Sequence, residues 1–536
     1  MVMGDKTAGR QQHHHGGAKE TIESIVIALV LAFVFRAFVV EAFVIPTGSM
    51  APTLMGAHSR YVCENCGYRF DVNYSSSSNP TFDGEINIPR RVGEAVRVLC
   101  PNCGFRTLDD QSANPYVYYG DRILVLKYIY LLNQPKRWDV VVFKSPVEPK
   151  KYFYGQNYIK RLVGKPGEQI MLLDGDVYVA KKNNPADTDW VVQTKPHVAQ
   201  KALWRIVNDM DYAPIGLLAN GEPTDDPAAI AKYIPWKASS DKVALGRDGA
   251  GAGAWTMDAG PSPEGLRFDP SVAAQKFPLT DWLAYDQSHR QQQLRKYAVG
   301  DLKLSLSYQR QSGDGELRLN LSKRDDLFTA SVSKNKVTLW HQRPNEPASR
   351  KELSSRTIHL PDRPVRLDFV NLDYQVRLLV DGQQVLSTTN EQYHPDVAAL
   401  KADADNRPSL PAVFIEAHNL KATLTHMSLW RDIYYTPIVV NGERALRGLP
   451  DNPMKLGADE YFVLGDNSPL SGDGRYWSTA APVDLPAEGV HAEAGIVPGR
   501  FLLGKAMFVY WPAGFRMFSS EYPDLVPNFG EMRVIH

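Results

Sequence analysis

The segment "IVIALVLAFVFRAFVVEAFV", Ile25 to Val44, is the one long apolar run in the chain, and it constrains everything around it. Its 20 residues make about 30 Å of helix, enough for one bilayer crossing. Arg36 and Glu41 interrupt its outer half, where an arginine can reach the headgroups. The competing readings are a cleaved signal peptide and a buried core helix, but no small-x-small cleavage pattern follows and a core helix is seldom this apolar all round. The expectation is a retained transmembrane anchor. Lys6, Arg10 and Lys19 precede it, so the N-terminus is expected in the cytoplasm and the rest of the chain on the exported side. The His13–His15 run sits among glycines without rigid geometry and reads as a tail, not a metal site.

At 536 residues the chain is long enough for two to four domains. Lysine plus arginine and aspartate plus glutamate both number 60, so nothing points to nucleic acid as a bulk partner. Beyond the anchor the pattern is mainly β. "YVYYGDRILVLKYIY" and "WDVVVFKSP" are rich in β-branched and aromatic residues. "NYIKRLVGKPGEQIMLLDGDVYVAKK" reads as three strands joined by Pro-Gly and Asp-Gly turns. "EYFVLGDN" and "GRFLLGKAMFVYW" continue the β pattern near the C-terminus.

From about Lys181 to Trp430 the composition shifts to polar, Gly- and Pro-rich connections, with "DGAGAGAW" (Asp248–Trp255) expected as a flexible spacer. After Asp301 a two-residue period sets in: Leu302, Leu304, Leu306 and Tyr308, then Leu317, Leu319 and Leu321. Val365, Leu367 and Phe369 repeat it, and Val376, Leu378 and Val380 run into an Asp381-Gly382 turn. Several such strands predict an inserted β-sandwich.

The chain's four cysteines form two knuckles, "CENCGY" (Cys63, Cys66) and "CPNCGF" (Cys100, Cys103). Two intervening residues let both thiolates reach one ion, and the following glycine allows the tight turn. The pattern is that of a structural zinc ribbon carrying no catalysis. Disulfides are the competing reading, because an exported location permits them.

The stretch "FVIPTGSMAPTL" (Phe43–Leu54) holds Ser49 on a proline-flanked loop just after the anchor. Serine becomes a nucleophile only when a base takes its proton. None of the 13 histidines stands in an active-site-like motif, so a triad has no evident member. The other base is a neutral lysine, and "YIKRLVGKPGE" offers Lys160 on an apolar strand, with Arg161 alternating to the opposite face. Lysine titrates near about 10.4 in water, so this role requires burial.

"IPTGSMAPTL", "GDRILVLK", "WDVVVFKSP", "YIKRLVGKPGE" and "GDNSPLSGDGRYW" follow one another in this order behind one anchor. Together they resemble type I signal peptidases, membrane-bound Ser/Lys endopeptidases that release exported proteins from their signal peptides. The resemblance covers about 45–60, 116–180 and 459–512. It implies an antiparallel β core, Ser49 as nucleophile and Lys160 as general base. It further implies Thr47 and the Ser49 amide as oxyanion donors, and Ser471 as the group that hydrogen-bonds the lysine. Asp473 and Arg475 become a supporting ion pair, and Tyr158 an active-site support. Phe43, Ile45, Met50, Leu54 and Ile159 match positions lining shallow apolar subsites, with plain core packing as the competing reading. Gly474, where a serine is usual, and "NSPL" after Asn467 depart from the family pattern without removing a catalytic group.

The implied partners are exported preproteins with Ala-x-Ala-like cleavage sites and the lipid bilayer, with no nucleic acid. The implied location is the bacterial inner (cytoplasmic) membrane, single-pass, with the catalytic unit outside. Catalysis needs no cofactor, and structural Zn²⁺ is the one metal expected. The expected organisation is a tail at 1–20, the anchor at 21–44 and core segments at 45–60, 115–185 and 435–536. The zinc-ribbon-like insertion is expected at 61–114 and the β-sandwich with linkers at 186–434. The sandwich resembles concanavalin-like or laminin-G-like jelly rolls, for which a glycan or a protein is the expected ligand, with Trp255, Trp282 and Trp340 as aromatic candidates. The alternative to a peptidase is a catalytically weak, membrane-tethered scaffold.

Overall fold

The computed structural model describes residues 17–74, 97–107, 115–146, 156–218, 220–272, 279–287, 297–404, 409–437, 444–477, 494–513 and 528–536. The tail with Lys6, Arg10 and His13–His15 lies outside them. The expected mainly β architecture is present. The N-terminal helix spans Gly17–Phe38, and its large apolar side chains from Ile25 to Val34 are exposed. Among the described residues no helix is long and apolar enough to cross a membrane.

The expected anchor also ends early. Val40–Val44 is a strand, paired in register from Val40 opposite Leu126 to Val44 opposite Arg122. Apolarity alone does not separate an edge strand from a membrane helix, and the β-branched Val39, Val40 and Val44 favour the strand. Glu41, which looks like an interruption of an anchor, pairs with Lys127 at 3.1 Å.

This strand is the edge of the core sheet. Across it follow Arg122–Leu126, Leu502–Trp511, Val140–Lys144, Asn157–Gly164, Glu460–Leu464 and Val497–Pro498, all antiparallel. One face buries Ile45, Met50, Leu54, Ile123, Val125, Val140 and Val142 around Val509. A smaller sheet, built on the hairpin Gln169–Leu173 and Asp176–Ala180, adjoins it.

Two further antiparallel sheets form the sandwich. Leu302, Leu304, Leu306, Leu317, Leu319, Leu321, Val365, Leu367, Phe369, Val376 and Leu378 are all buried in its common core, as their alternation predicted. Removing each such side chain from water contributes roughly 1.5–3 kcal/mol. Asp381 and Gly382, with φ of 47° and 78°, make the hairpin turn. The sandwich begins well before Asp301. "DGAGAGAW" is no spacer but the turn between strands Val243–Arg247 and Gly253–Ala259. There Asp248 Oδ1 accepts from the amides of Ala250 and Ala252. Trp255 is buried in the core, and Trp340 is partly covered, its ring under Arg350 at 4.6 Å.

Sandwich and core meet along a charged seam. Lys323 donates to Asp176 (3.2 Å) and Asp301 (2.5 Å), and Lys195 pairs with Asp373 and with Asp432 (2.8 Å). Arg324 forks onto Asp174 with two bonds of 2.9 Å. The chain returns from the sandwich onto the hairpin turn Asp174-Gly175, Tyr435 N donating to Gly175 O at 3.1 Å. Gly175 has φ +85°, and a Cβ there would lie 2.2 Å from the Tyr434 ring. Gly175→Ala is therefore expected to lower stability by about 1–3 kcal/mol, read as a reduced urea midpoint at unchanged secondary structure.

Candidate active site

Ser49 occupies a single 3₁₀ turn, Gly48–Met50, closed by Ala51 N donating to Gly48 O at 3.0 Å. Pro46 and Pro52 bracket the turn and limit its backbone freedom. Asn467, fully buried, donates its backbone N–H to Ser49 O and its side-chain amide to Gly48 O, both at 3.0 Å.

Lys160 arises from the middle of strand Asn157–Gly164, between Val140–Lys144 and Glu460–Leu464. Its Nζ donates to Ser49 Oγ at 2.7 Å and lies 5.7 Å from the centre of the Tyr158 ring. Only 5% of Lys160 is exposed. Burial pushes its pKa down to about 8, against the pull of Asp473 and Asp466, while Arg475 pushes the same way as burial.

Strand alternation sends Arg161 to the other face. There its guanidinium forks onto Asp466 with two bonds of 2.7 Å and also donates to Trp138 O and His536 O. Asp473 and Arg475 form a second fork, at 2.8 and 2.7 Å. Both pairs are fully buried. Arg475 also binds Thr436 O and Ser468, and Asp473 accepts from Gly465 N, so the 465–475 loop is tied from within. An exposed ion pair would contribute little, but a buried fork fixes geometry.

Two expectations, the Ser471 bond and the subsite role of Ile45, Met50 and Leu54, differ from this geometry. Ser471 Oγ is buried without a hydrogen-bond partner, so the expected bond to Lys160 is not made. Its hydroxyl lies against Gly465, where a Cβ would come within 2.1 Å of it. Ile45, Met50 and Leu54 are 3%, 0% and 0% exposed and belong to the core, which leaves Phe43 and Ile159 with accessible apolar surface. Thr47 is exposed and extended (φ −120°), without a capping bond.

The sequence reading missed the Arg161–Asp466 fork, Asn467, Tyr285 and Asp286. Gly465-Asp466-Asn467 reads as a turn, yet an arginine next to a buried lysine must itself find a carboxylate, and that was the available signal. Tyr285 packs in a buried cluster with Ala51 and Met55, and Asp286 accepts from Asn467 Nδ2 at 2.8 Å. Nothing in the local sequence marks either.

Among the described residues, two clusters have metal-ligand chemistry. Asp176, Asp301, Asp373 and Asp432 already enclose Lys195 and Lys323, which occupy the place of a cation. The buried Cys63, Cys66, Cys100 and Cys103 have all four Sγ atoms within 4.8 Å of one another. Cys63–Cys103 and Cys66–Cys100 stand at 3.6 and 3.7 Å, far beyond a bonded sulfur pair. Four thiolates at about 2.3 Å from one zinc would be about 3.8 Å apart, so the cluster fits that ion.

The family model for signal peptidase, peptidase S26, matches residues 18–81, 96–210 and 377–511, more than half of the chain. The chain belongs to this peptidase family. Signal peptidase I of Rickettsia bellii is 24% identical over 157 residues, 29% of this chain and 38% of that protein. A probable signal peptidase I-2 of Synechocystis is 32% identical over 77 residues, 14% of this chain and 35% of the other. The chain spans about two-fifths of the length of the curated relatives it matches. Among solved structures, a carbohydrate-binding module from Bacillus subtilis aligns at 9% identity and a TM-score of 0.22, covering 36% of this chain and 94% of the module. That likeness is too slight to bear on fold or ligand. For this peptidase-family site, Asp466→Asn is expected to cost about 3–5 kcal/mol in urea unfolding, because it leaves Arg161 buried without its carboxylate.

Proposed function

We propose that the protein is a membrane-associated signal peptidase that cuts exported preproteins with a Ser49/Lys160 dyad. The observation that carries this reading is the 2.7 Å hydrogen bond between a buried Lys160 Nζ and Ser49 Oγ, in a chain of the signal peptidase family. Burial disfavours the ammonium, so near neutrality a useful fraction of Lys160 is the neutral amine that a base must be.

Ser49 Oγ attacks the scissile carbonyl as its proton passes to Lys160 Nζ. The Ser49 backbone N–H and the Thr47 hydroxyl donate to the oxyanion. Lys160 then gives the proton to the leaving amine, and water, deprotonated in its turn by Lys160, resolves the acyl-enzyme. No cofactor enters these steps. Phe43 and Ile159 offer apolar surface to small side chains, which favours Ala-x-Ala-like sites. The exposed apolar N-terminal helix suits insertion into a bilayer, leaving the catalytic unit on the exported side.

The proposed organisation keeps three core segments, 45–60, 115–185 and 435–536, around a 61–114 insertion and a sandwich insertion at 186–434. Cys63, Cys66, Cys100 and Cys103 are proposed to hold a structural Zn²⁺ away from the reaction. Gly67 and Gly104, each with a left-handed φ, follow the two knuckles. Cys63→Ser is expected to abolish binding of a single zinc ion per chain in metal analysis of purified protein, with a lowered thermal midpoint.

The dyad is tested on a preprotein with an Ala-x-Ala site, using lipid-reconstituted protein. Ser49→Ala and Lys160→Met are each expected to lower cleavage by about a thousandfold or more. The base is active when neutral, so kcat/KM should rise with pH and be half-maximal near about 8, the pKa to which burial lowers Lys160. A flat profile from pH 6 to 10, or cleavage by Lys160→Met at the wild-type rate, would exclude Lys160 as the base.

A further inference from the structure

The Ser49 turn is supported by residues that do not belong to the peptidase core. The 3₁₀ turn Ala284–Asp286 lies inside the sandwich insertion, far from Ser49 in sequence. Its Tyr285 is 5% exposed and buries its ring against Ala51 and Met55. It also covers Gly48 closely, since a Cβ at Gly48 would lie 2.5 Å from Tyr285 Cε1. Asp286, 3% exposed, accepts from Asn467 Nδ2 at 2.8 Å. The same amide donates to Gly48 O, and the Asn467 backbone donates to Ser49 O. Asp286 thus fixes the amide that fixes the nucleophile's turn.

The next residue ties this strap to the cysteine module. Gln287 makes a two-point bond with the backbone of Leu99, receiving from its N–H at 2.6 Å and donating to its C=O at 2.8 Å. Leu99 directly precedes Cys100. Each knuckle in turn grips the insertion through the asparagine at its third position. Asn65 Oδ1 accepts from Leu217 N at 3.1 Å, and Asn102 Oδ1 accepts from Asp209 N at 2.6 Å.

We propose that Tyr285 and Asp286 are positioning residues for the peptidase reaction, held in place by Gln287 on the four-cysteine module. The inserted domain therefore completes the active site. The proposal rests on the peptidase reading, and it deepens that reading by making both insertions part of the catalytic geometry. Asp286 acts through Asn467 on the Ser49 backbone and does not touch Lys160. Its loss should misplace the nucleophile while leaving the pH profile and the accessible apolar surface unchanged.

The test uses the full-length protein in lipid, with kcat and KM for the preprotein and hydrogen exchange of the 43–55 segment by mass spectrometry. Asp286→Ala should lower kcat by about tenfold to a hundredfold at unchanged KM, with the same midpoint in pH and faster exchange at the turn. Asp286→Asn keeps an acceptor for Asn467 and should restore most of kcat. Gln287→Ala should give a smaller loss of the same kind, and it carries the test with Asp286→Asn if Asp286→Ala does not fold. Wild-type kcat and exchange in Asp286→Ala would overturn the proposal. So would a kcat loss that Asp286→Asn shares in full without faster exchange at the turn. If wild type itself leaves the preprotein uncut, the peptidase reading fails, while the exchange measurements still decide whether the strap holds the turn.

Discussion

The site depends on keeping one ammonium group out of water. A lysine on a surface would sit beside Ser49 as a cation and accept nothing, whereas Lys160, 5% exposed, is pushed towards its neutral form. Burying it creates a second problem, because the strand that brings Lys160 in also carries Arg161 into the protein. The fork to Asp466 answers that problem, and the fork between Arg475 and Asp473 stiffens the loop that supplies Asp466. These two carboxylates also oppose the depression of Lys160, and Arg475 offsets part of their effect. For the proposed dyad, the balance holds Lys160 at a pKa of about 8, below an ordinary lysine.

Such a site tolerates little movement, which bears on how a large sandwich can interrupt it. The chain leaves the core after the hairpin strand Asp176–Ala180 and comes back onto the Asp174-Gly175 turn of that same hairpin at Tyr434 and Tyr435, so both ends of the excursion lie on one hairpin. The seam is then locked by Lys323, Lys195 and Arg324 on core and sandwich aspartates. Apolar residues of similar volume could have been at least as stabilising. What forks and ammonium–carboxylate contacts add is a single docking arrangement, because a displaced seam would strand charges away from water.

What was legible in the sequence tracks how local the governing interaction is. Ser49 and Lys160 could be named because short motifs carry them, and the alternating leucines of the sandwich because each strand reports its own faces. Val40–Val44 was misread because an apolar edge strand and a membrane helix share one composition. Asp248–Trp255 was misread because glycines serve a tight hairpin as readily as a linker. Arg161 and Asp466 lie 305 positions apart, and no local pattern announces their fork. Ser471 illustrates the opposite failure: the motif names a residue, but its hydroxyl is packed against Gly465 and meets no partner.

Gly48 shows how the local and distant levels meet. In the motif it directly precedes Ser49. Its constraint comes from Tyr285, whose ring leaves no room for a Cβ at that position. A methyl group there would have to displace an aromatic ring that is buried against Ala51 and Met55 and whose neighbour Asp286 is bonded to Asn467. The strain would pass into the same amide that holds Gly48 O and the loop that holds Ser49 O. A residue that belongs by sequence to the peptidase motif is thus fitted, in this chain, to a domain inserted far downstream.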